Sequence, residues 1–379
     1  MTRNDETRQI LLTPGPLTTA ETTRQAMLRD WGSRDGAFIE MTARVRRRLL
    51  DVANASETHV CIPVQGSGTF AVEATLGTML SRESSKTLAL VNGAYGKRIV
   101  RILALIGRDH VVHETAEDTP PSPDDISEML ADDEAITHVI LVHCETTSGI
   151  LNPLREISDA VTAAGRKLIV DAMSSFGALE IDLSSISAEA VVASANKCLE
   201  GAPGMGYALI EREALTAAKG NAHSLSLDLF DQHEYMERTG QWRFTPPTHV
   251  LAGIDAALDA HEAEGGVTAR GGRYTANCKV LVEGLRDLGF ETFLPDDLQA
   301  PIIVTVRMPE DDAFDFQTLY DRLNEQGIVL YPGAVTQEKS FRIGCIGQVF
   351  ENDMRRTLAA IGDALDTMGV SREGLKPSV

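Results

Sequence analysis

Apolar residues recur in short runs along the first two thirds of the chain. The segments HVCIPV (59–64), TLALV (87–91), HVVHE (110–114), THVILV (137–142), KLIV (167–170), EAVVAS (189–194) and GYALI (206–210) are strand-sized and mostly β-branched or aliphatic. Between several of them the apolar spacing becomes helical, as with Phe70, Val72, Ala74, Leu76 and Met79. Strands alternating with helices predict a mostly parallel sheet covered on both faces. A long helical pattern at 249–264 runs into EAEGG, a natural boundary, and a further helix is expected at 268–288. Beyond it, PIIVTVRM, a helix near 313–326, IVLYPG, SFRIGCIG and a last helix to about 368 read as a separate α+β domain. The opening ILLTPGPLT has two prolines and a glycine and predicts a loop. The expected organisation is an N-terminal segment lining the site (1–20), a large domain (21–265) and a small C-terminal domain (266–379).

Composition narrows the partners. The chain has 379 residues, 43% of them hydrophobic and 24% charged, as in a globular protein of more than one core. Its formal net charge of -20 argues against nucleic acid or an anionic membrane as the main partner, since phosphate backbones need basic surface. A small anion held by one or two buried arginines stays compatible with that charge. No apolar run approaches a membrane span, and MTRNDETRQI carries acidic residues and no apolar stretch, so a cytoplasmic location is expected. The five cysteines (Cys61, Cys144, Cys198, Cys278, Cys345) include no C-x-x-C pair, so neither a disulfide framework nor a metal site is expected. They are read as small buried hydrophobes.

In an open parallel sheet, ligands collect beyond the carboxyl ends of the strands. Three strand ends carry chemistry. Gly66-Ser67-Gly68-Thr69 lies between a strand and a helix, where glycines admit an anion and hydroxyls add donors at the positive end of the helix dipole. A turn that merely joins two elements is the alternative, and no nucleotide-binding fingerprint is complete. Asp171 directly follows KLIV, where a carboxylate can pair with a protonated ring nitrogen or simply cap a turn. Lys197 follows VVAS and precedes a glycine-rich turn, a setting that depresses an amine pKa, although a surface lysine would look similar. Phosphate cradle, strand-end Asp and strand-end Lys, in this order, form the constellation that binds pyridoxal 5'-phosphate (PLP).

LLTPGP, QGSGTFAVEA, NGAYGKR, HCETTSGILNP, VDAMSSFGALEID, SANKCLEG, QWRFTPPTH and FRIGCIG resemble the class V PLP-dependent aminotransferases, over about residues 10–368. The resemblance implies an α/β fold of the aspartate-aminotransferase type (fold type I), with Lys197 as the Schiff-base lysine and Asp171 as the pyridinium partner. It places Ser67, Gly68 and Thr69 on the phosphate and Tyr95 on the cofactor ring, a position where relatives often have Trp. Thr146, Met173 and Asn196 fall among the cofactor's surroundings. QWRFTPPTH matches a segment donated across a homodimer, with Thr245 reaching the other subunit's phosphate. Arg342 matches the arginine that holds the substrate carboxylate, an interdomain salt bridge being the structural alternative, and Gly15 offers backbone to substrate. VDAMSSFG and QWRFTPPTH resemble most the family members that pass the amino group of 2-aminoethylphosphonate to pyruvate. Alanine:glyoxylate or serine:glyoxylate transamination on the same scaffold is the nearest rival. A PLP lyase needing a mobile cysteine (Cys345 the nearest candidate) and a non-enzymatic nucleotide binder are further off. A triad of His143, Cys144 and Glu145 is discounted, because adjacent residues seldom point at one another. Arg34 and Arg243 lie in segments that can reach the site, and the sequence does not place them.

Overall fold

The structure, a computed structural model, describes residues 9–331 and 338–370. The ends of the outer segments set at 1–20 and 266–379, and Pro332 and Gly333 of IVLYPG, therefore lie outside the described residues. All seven apolar runs form one sheet: β1 (His59–Gln65), β2 (Lys86–Val91), β3 (Asp109–Glu114), β4 (His138–Val142), β5 (Lys167–Asp171), β6 (Ala190–Ser194) and β7 (Met205–Glu211). Their spatial order is β1-β7-β6-β5-β4-β2-β3. The pairs from β6 to β3 are parallel, while β7 runs antiparallel to both β1 and β6.

Near-continuous apolar strands arise because both faces are covered. Val139 and Leu141 join one core with Val170, Val191 and Leu209, against Phe38, Met41, Val45 and Leu49 of the helix Gly36–Val52. Ile140 and Val142, pointing the other way, join Ile169, Val192 and Ala208 under the helices Gly68–Met79 and Ala94–Leu105. The spacing of Phe38, Met41, Val45 and Leu49 is that of one helical stripe.

A separate core gathers Leu281 and Leu285 of the helix Gly266–Asp287 with Val304, Val306, Leu319, Leu323, Ile343, Ile361 and Leu365. Its strands Ile303–Arg307 and Ser340–Gly344 pair antiparallel, with Thr305 opposite Arg342. Ile10 and Leu12 belong to this core. Here the structure departs from the loop expected for ILLTPGPLT: Ile10–Leu11 pairs in parallel with Ile328–Val329, and the irregular part begins after it. Two apolar residues with a strand edge to pair against suffice for that, and no local pattern announces the edge.

Candidate active site

The carboxyl ends of β1, β2, β5 and β6 open on one cavity of about 260 Å³. After β1 the chain turns at Gly66, whose φ of 129° only glycine adopts readily, and enters the helix Gly68–Met79 through Ser67. Ser67 holds the N-cap position, yet its hydroxyl makes no capping bond. The first-turn N–H groups of a helix have no intrahelical partner, and Ser67, Gly68 and Thr69 all line the cavity. This donor set suits a phosphate. A Cβ on Gly68 would collide with Sδ of Met173, so the absence of a side chain lets that thioether lie over the start of the helix.

Asp171 and Lys197 meet across the same cavity, with Met173 and Asn196 beside them. Burial pushes the Asp171 carboxyl up to about 6, partly offset by the Met173 N–H that donates to it at 3.0 Å. Burial also lowers the Lys197 amine to about 8, which enlarges its neutral, nucleophilic fraction near neutral pH. Nζ of Lys197 donates to the carbonyl of Pro14 at 2.6 Å. Gly15, at φ 120°, passes so close that a Cβ would lie 2.7 Å from Cδ of the lysine. The N-terminal segment therefore reaches the candidate nucleophile directly.

Tyr95 lies in the first turn of the helix Ala94–Leu105, and its ring carries the Arg98 guanidinium 4.7 Å from its centre. Arg98 also donates to the Thr69 hydroxyl at 3.3 Å and lines the cavity, a residue the motif reading passed over. Glu145 was missed in a different way. It is wholly buried and accepts from the N–H groups of Tyr95 (3.0 Å), Gly96 (3.2 Å) and Thr147 (3.0 Å) and from the Thr147 hydroxyl (2.6 Å). It thus closes the start of the helix that bears Tyr95, and burial raises its own pKa. Its motif was visible in the sequence, but its partners Tyr95 and Gly96 lie about fifty residues upstream.

Arg342 is buried and donates through Nη1 to the carbonyl of Thr146 at 2.7 Å, with its guanidinium 4.7 Å from the centre of the Tyr331 ring. Thr146 is itself buried, and neither it nor Arg342 lines the cavity of Lys197. Thr245 is exposed and lines a neighbouring surface cleft with Gly66, Phe70 and Phe244, away from the cavity of its own chain. Arg34 is exposed ahead of the helix Gly36–Val52, and Arg243 pairs with Asp231 at 3.0 Å.

His143 bonds to the Ser175 hydroxyl at 3.0 Å, and burial lowers its pKa to about 4. No hydrogen bond among the described residues joins the side chains of His143, Cys144 and Glu145. The five cysteines are free and buried, Cys345 included. A larger groove of about 870 Å³, by Arg48, Asp182 and His261, brings together no comparable set of groups.

The family model for class V aminotransferases matches residues 25–346. A protein of Pseudomonas putida (strain F1) named 2-aminoethylphosphonate–pyruvate transaminase is 53% identical over 361 residues, covering 95% of this chain and 98% of its own. Among solved structures, pyridoxamine-pyruvate aminotransferase from Mesorhizobium loti superposes with a TM-score of 0.88 at 25% identity, over 99% of this chain and 98% of that one. An aspartate aminotransferase from Thermus thermophilus shares the fold, with a TM-score of 0.84 at 20% identity over 95% and 99% of the two chains. The layered sheet and its strand-end cleft are thus the α/β architecture of fold type I aminotransferases. With so little of its length outside the matched region, the chain belongs to the class V aminotransferases.

Proposed function

We propose that the chain is a PLP-dependent transaminase that moves the amino group of 2-aminoethylphosphonate to pyruvate, giving phosphonoacetaldehyde and L-alanine. The observation that carries this reading is the 53% identity, over 95% of the chain, to a relative of that name. Bound in the cavity, PLP supplies an electron sink for a carbanion next to the amino nitrogen. The residues supply the rest. Ser67, Gly68 and Thr69 hold the phosphate, and Asp171, ionised above about 6, keeps the ring nitrogen protonated. Lys197 would hold the cofactor and, once freed, would move the proton at the substrate carbon next to nitrogen, a task suited to an amine lowered to about 8. Tyr95, Met173 and Asn196, which line the cavity, would surround the ring, and Thr146, buried just outside it, would bear on the ring through the Arg342 segment its carbonyl holds.

Arg342 receives the carboxylate of pyruvate in one half-reaction and the phosphonate in the other, both within reach of a planar fork of donors. Gly15 offers backbone to the same substrates. Thr245, exposed in a single chain, reaches the phosphate of a second copy, so the working unit is a homodimer with shared sites. Residues 21–265 form the cofactor domain, 266–379 the small domain and 1–20 a segment lining the site; the separate core around Leu281 and Val304 supports that division. Among the described residues no helix is long and apolar enough to cross a membrane, and we place the protein in the cytoplasm.

The test is an absorption spectrum of the purified protein. A visible cofactor band should collapse on adding 2-aminoethylphosphonate alone and return with pyruvate, and steady-state double-reciprocal lines should be parallel. A band that ignores this amine but responds to alanine or serine with glyoxylate transfers the function to those relatives. No band after added PLP overturns the reading.

A further inference from the structure

Behind Lys197 lies a cluster of charged side chains that the proposed chemistry leaves unused. The turn after the lysine is closed by Glu200, whose N–H donates to the Lys197 carbonyl at 2.8 Å. Glu200 sits at φ 59°, a left-handed conformation unfavourable for any residue with a Cβ. Such a conformation persists where the surroundings over-determine it, and here they do. The Glu200 side chain is buried and accepts from Tyr274 Oη at 2.6 Å, Arg273 Nη2 at 2.8 Å and Gln348 Nε2 at 2.8 Å, with Arg270 Nη1 at 3.5 Å. Arg270 also donates to the carbonyl of Cys198 at 2.6 Å, and both arginines share Glu264. Arg273 reaches further, to the carbonyls of Gly347 and Val349.

The placement of these partners matters more than their number. Gln348 follows the strand Ser340–Gly344 that carries Arg342, with only Cys345, Ile346 and Gly347 between. One carboxylate is therefore bonded both to the turn that presents Lys197 and to the segment that presents Arg342. We propose that Glu200 is a positioning residue that holds the Lys197 turn in register with the Arg342 segment, so that amine and guanidinium keep one separation throughout turnover. The inference rests on the roles given to Lys197 and Arg342 above. Its physical basis is the steep dependence of rate on placement, where an error of about 1 Å can lower turnover about a hundredfold.

Glu200→Gly is the decisive variant, because glycine adopts the same turn without strain while the carboxylate is removed. In the PLP-loaded full chain it should keep its visible band but lose about tenfold or more in kcat. It should also raise KM for pyruvate and move the pH at which the band titrates. Gln348→Ala should shift the same readouts in the same sense by less, and the double variant should be no worse than Glu200→Gly alone. Unchanged kcat, KM and band titration, with only the melting temperature lowered, would make the cluster a structural staple and overturn the proposal. Should Glu200→Gly fail to fold, Gln348→Ala decides on the same readouts. A wild-type protein without a cofactor band defeats the underlying reading; a working wild type with indifferent variants defeats only the role of Glu200.

Discussion

Asp171 and Lys197 illustrate what burial does to two groups of opposite charge type. The carboxyl is raised and the amine lowered, so each leans toward its neutral form until a ligand compensates it. For the cofactor-free protein this has a signed consequence. Asp171 titrates at about 6 in the folded chain, against an ordinary value of 3.8, so the folded state binds the extra proton in that window. Its stabilising contribution is whole below about 4 and is lost as pH rises through about 6. Apo Asp171→Asn should therefore be more stable than apo wild type above pH 6, by on the order of 3 kcal/mol, with the gap closing below pH 4. Calorimetry across that range checks it, and a gap independent of pH would show that the carboxylate is already compensated. With PLP bound the order should reverse, because the variant has lost the partner of the ring nitrogen.

Among the elements, the helix Ala94–Leu105 depends on a residue from another strand end. Glu145 accepts the N–H groups of Tyr95 and Gly96, and a Cβ on Gly93 would collide with its side chain. Glu145→Ala strips these buried donors of their acceptor and should destabilise the fold by about 2 kcal/mol, read as a lower urea midpoint at unchanged slope. Because Tyr95 loses its anchor, PLP affinity should fall with it; an unchanged affinity would separate the ring from the cap. The inner sheet strands were legible as buried aliphatic runs and the edge strand Asp109–Glu114 by its two central valines, and the helices at 248–264 and 351–368 because their apolar spacing is long and regular. The antiparallel sense of β7 was not, since a strand buried on both faces has the same composition in either direction. Asp171 and Lys197 could be found as strand ends. Arg98, Glu145 and Glu200 owe their places to partners 29 to 148 residues away, beyond the reach of any local pattern.

At the level of the whole molecule, the cavity of one chain contains its lysine and its phosphate cradle, but Thr245 lies outside it on an exposed surface beside Phe70 and Phe244. If Thr245 serves a second copy, Thr245→Ala should weaken PLP binding at both sites of its own dimer. Mixing it with Lys197→Ala chains should restore one tight site, built from the lysine of the first variant and the threonine of the second. Titration of the visible band in co-expressed mixed dimers reads this out. Binding that stays weak in the mixture would assign Thr245 to its own chain, while Thr245→Ala chains that bind PLP as tightly as wild type would assign it to no cofactor at all.

The segment that begins with Ile10 has a bearing on redesign. Ile10 and Leu12 are packed in the smaller core, and Pro14 and Gly15, two and three residues beyond Leu12, touch the lysine. The opening segment is thus anchored in the smaller core by Ile10 and Leu12 and holds the lysine amine through the Pro14 carbonyl. A library meant to broaden substrate range should vary Pro14 and Gly15 beside the lysine, and a shortened chain trimmed past Leu12 should lose packing and reactivity in a single cut.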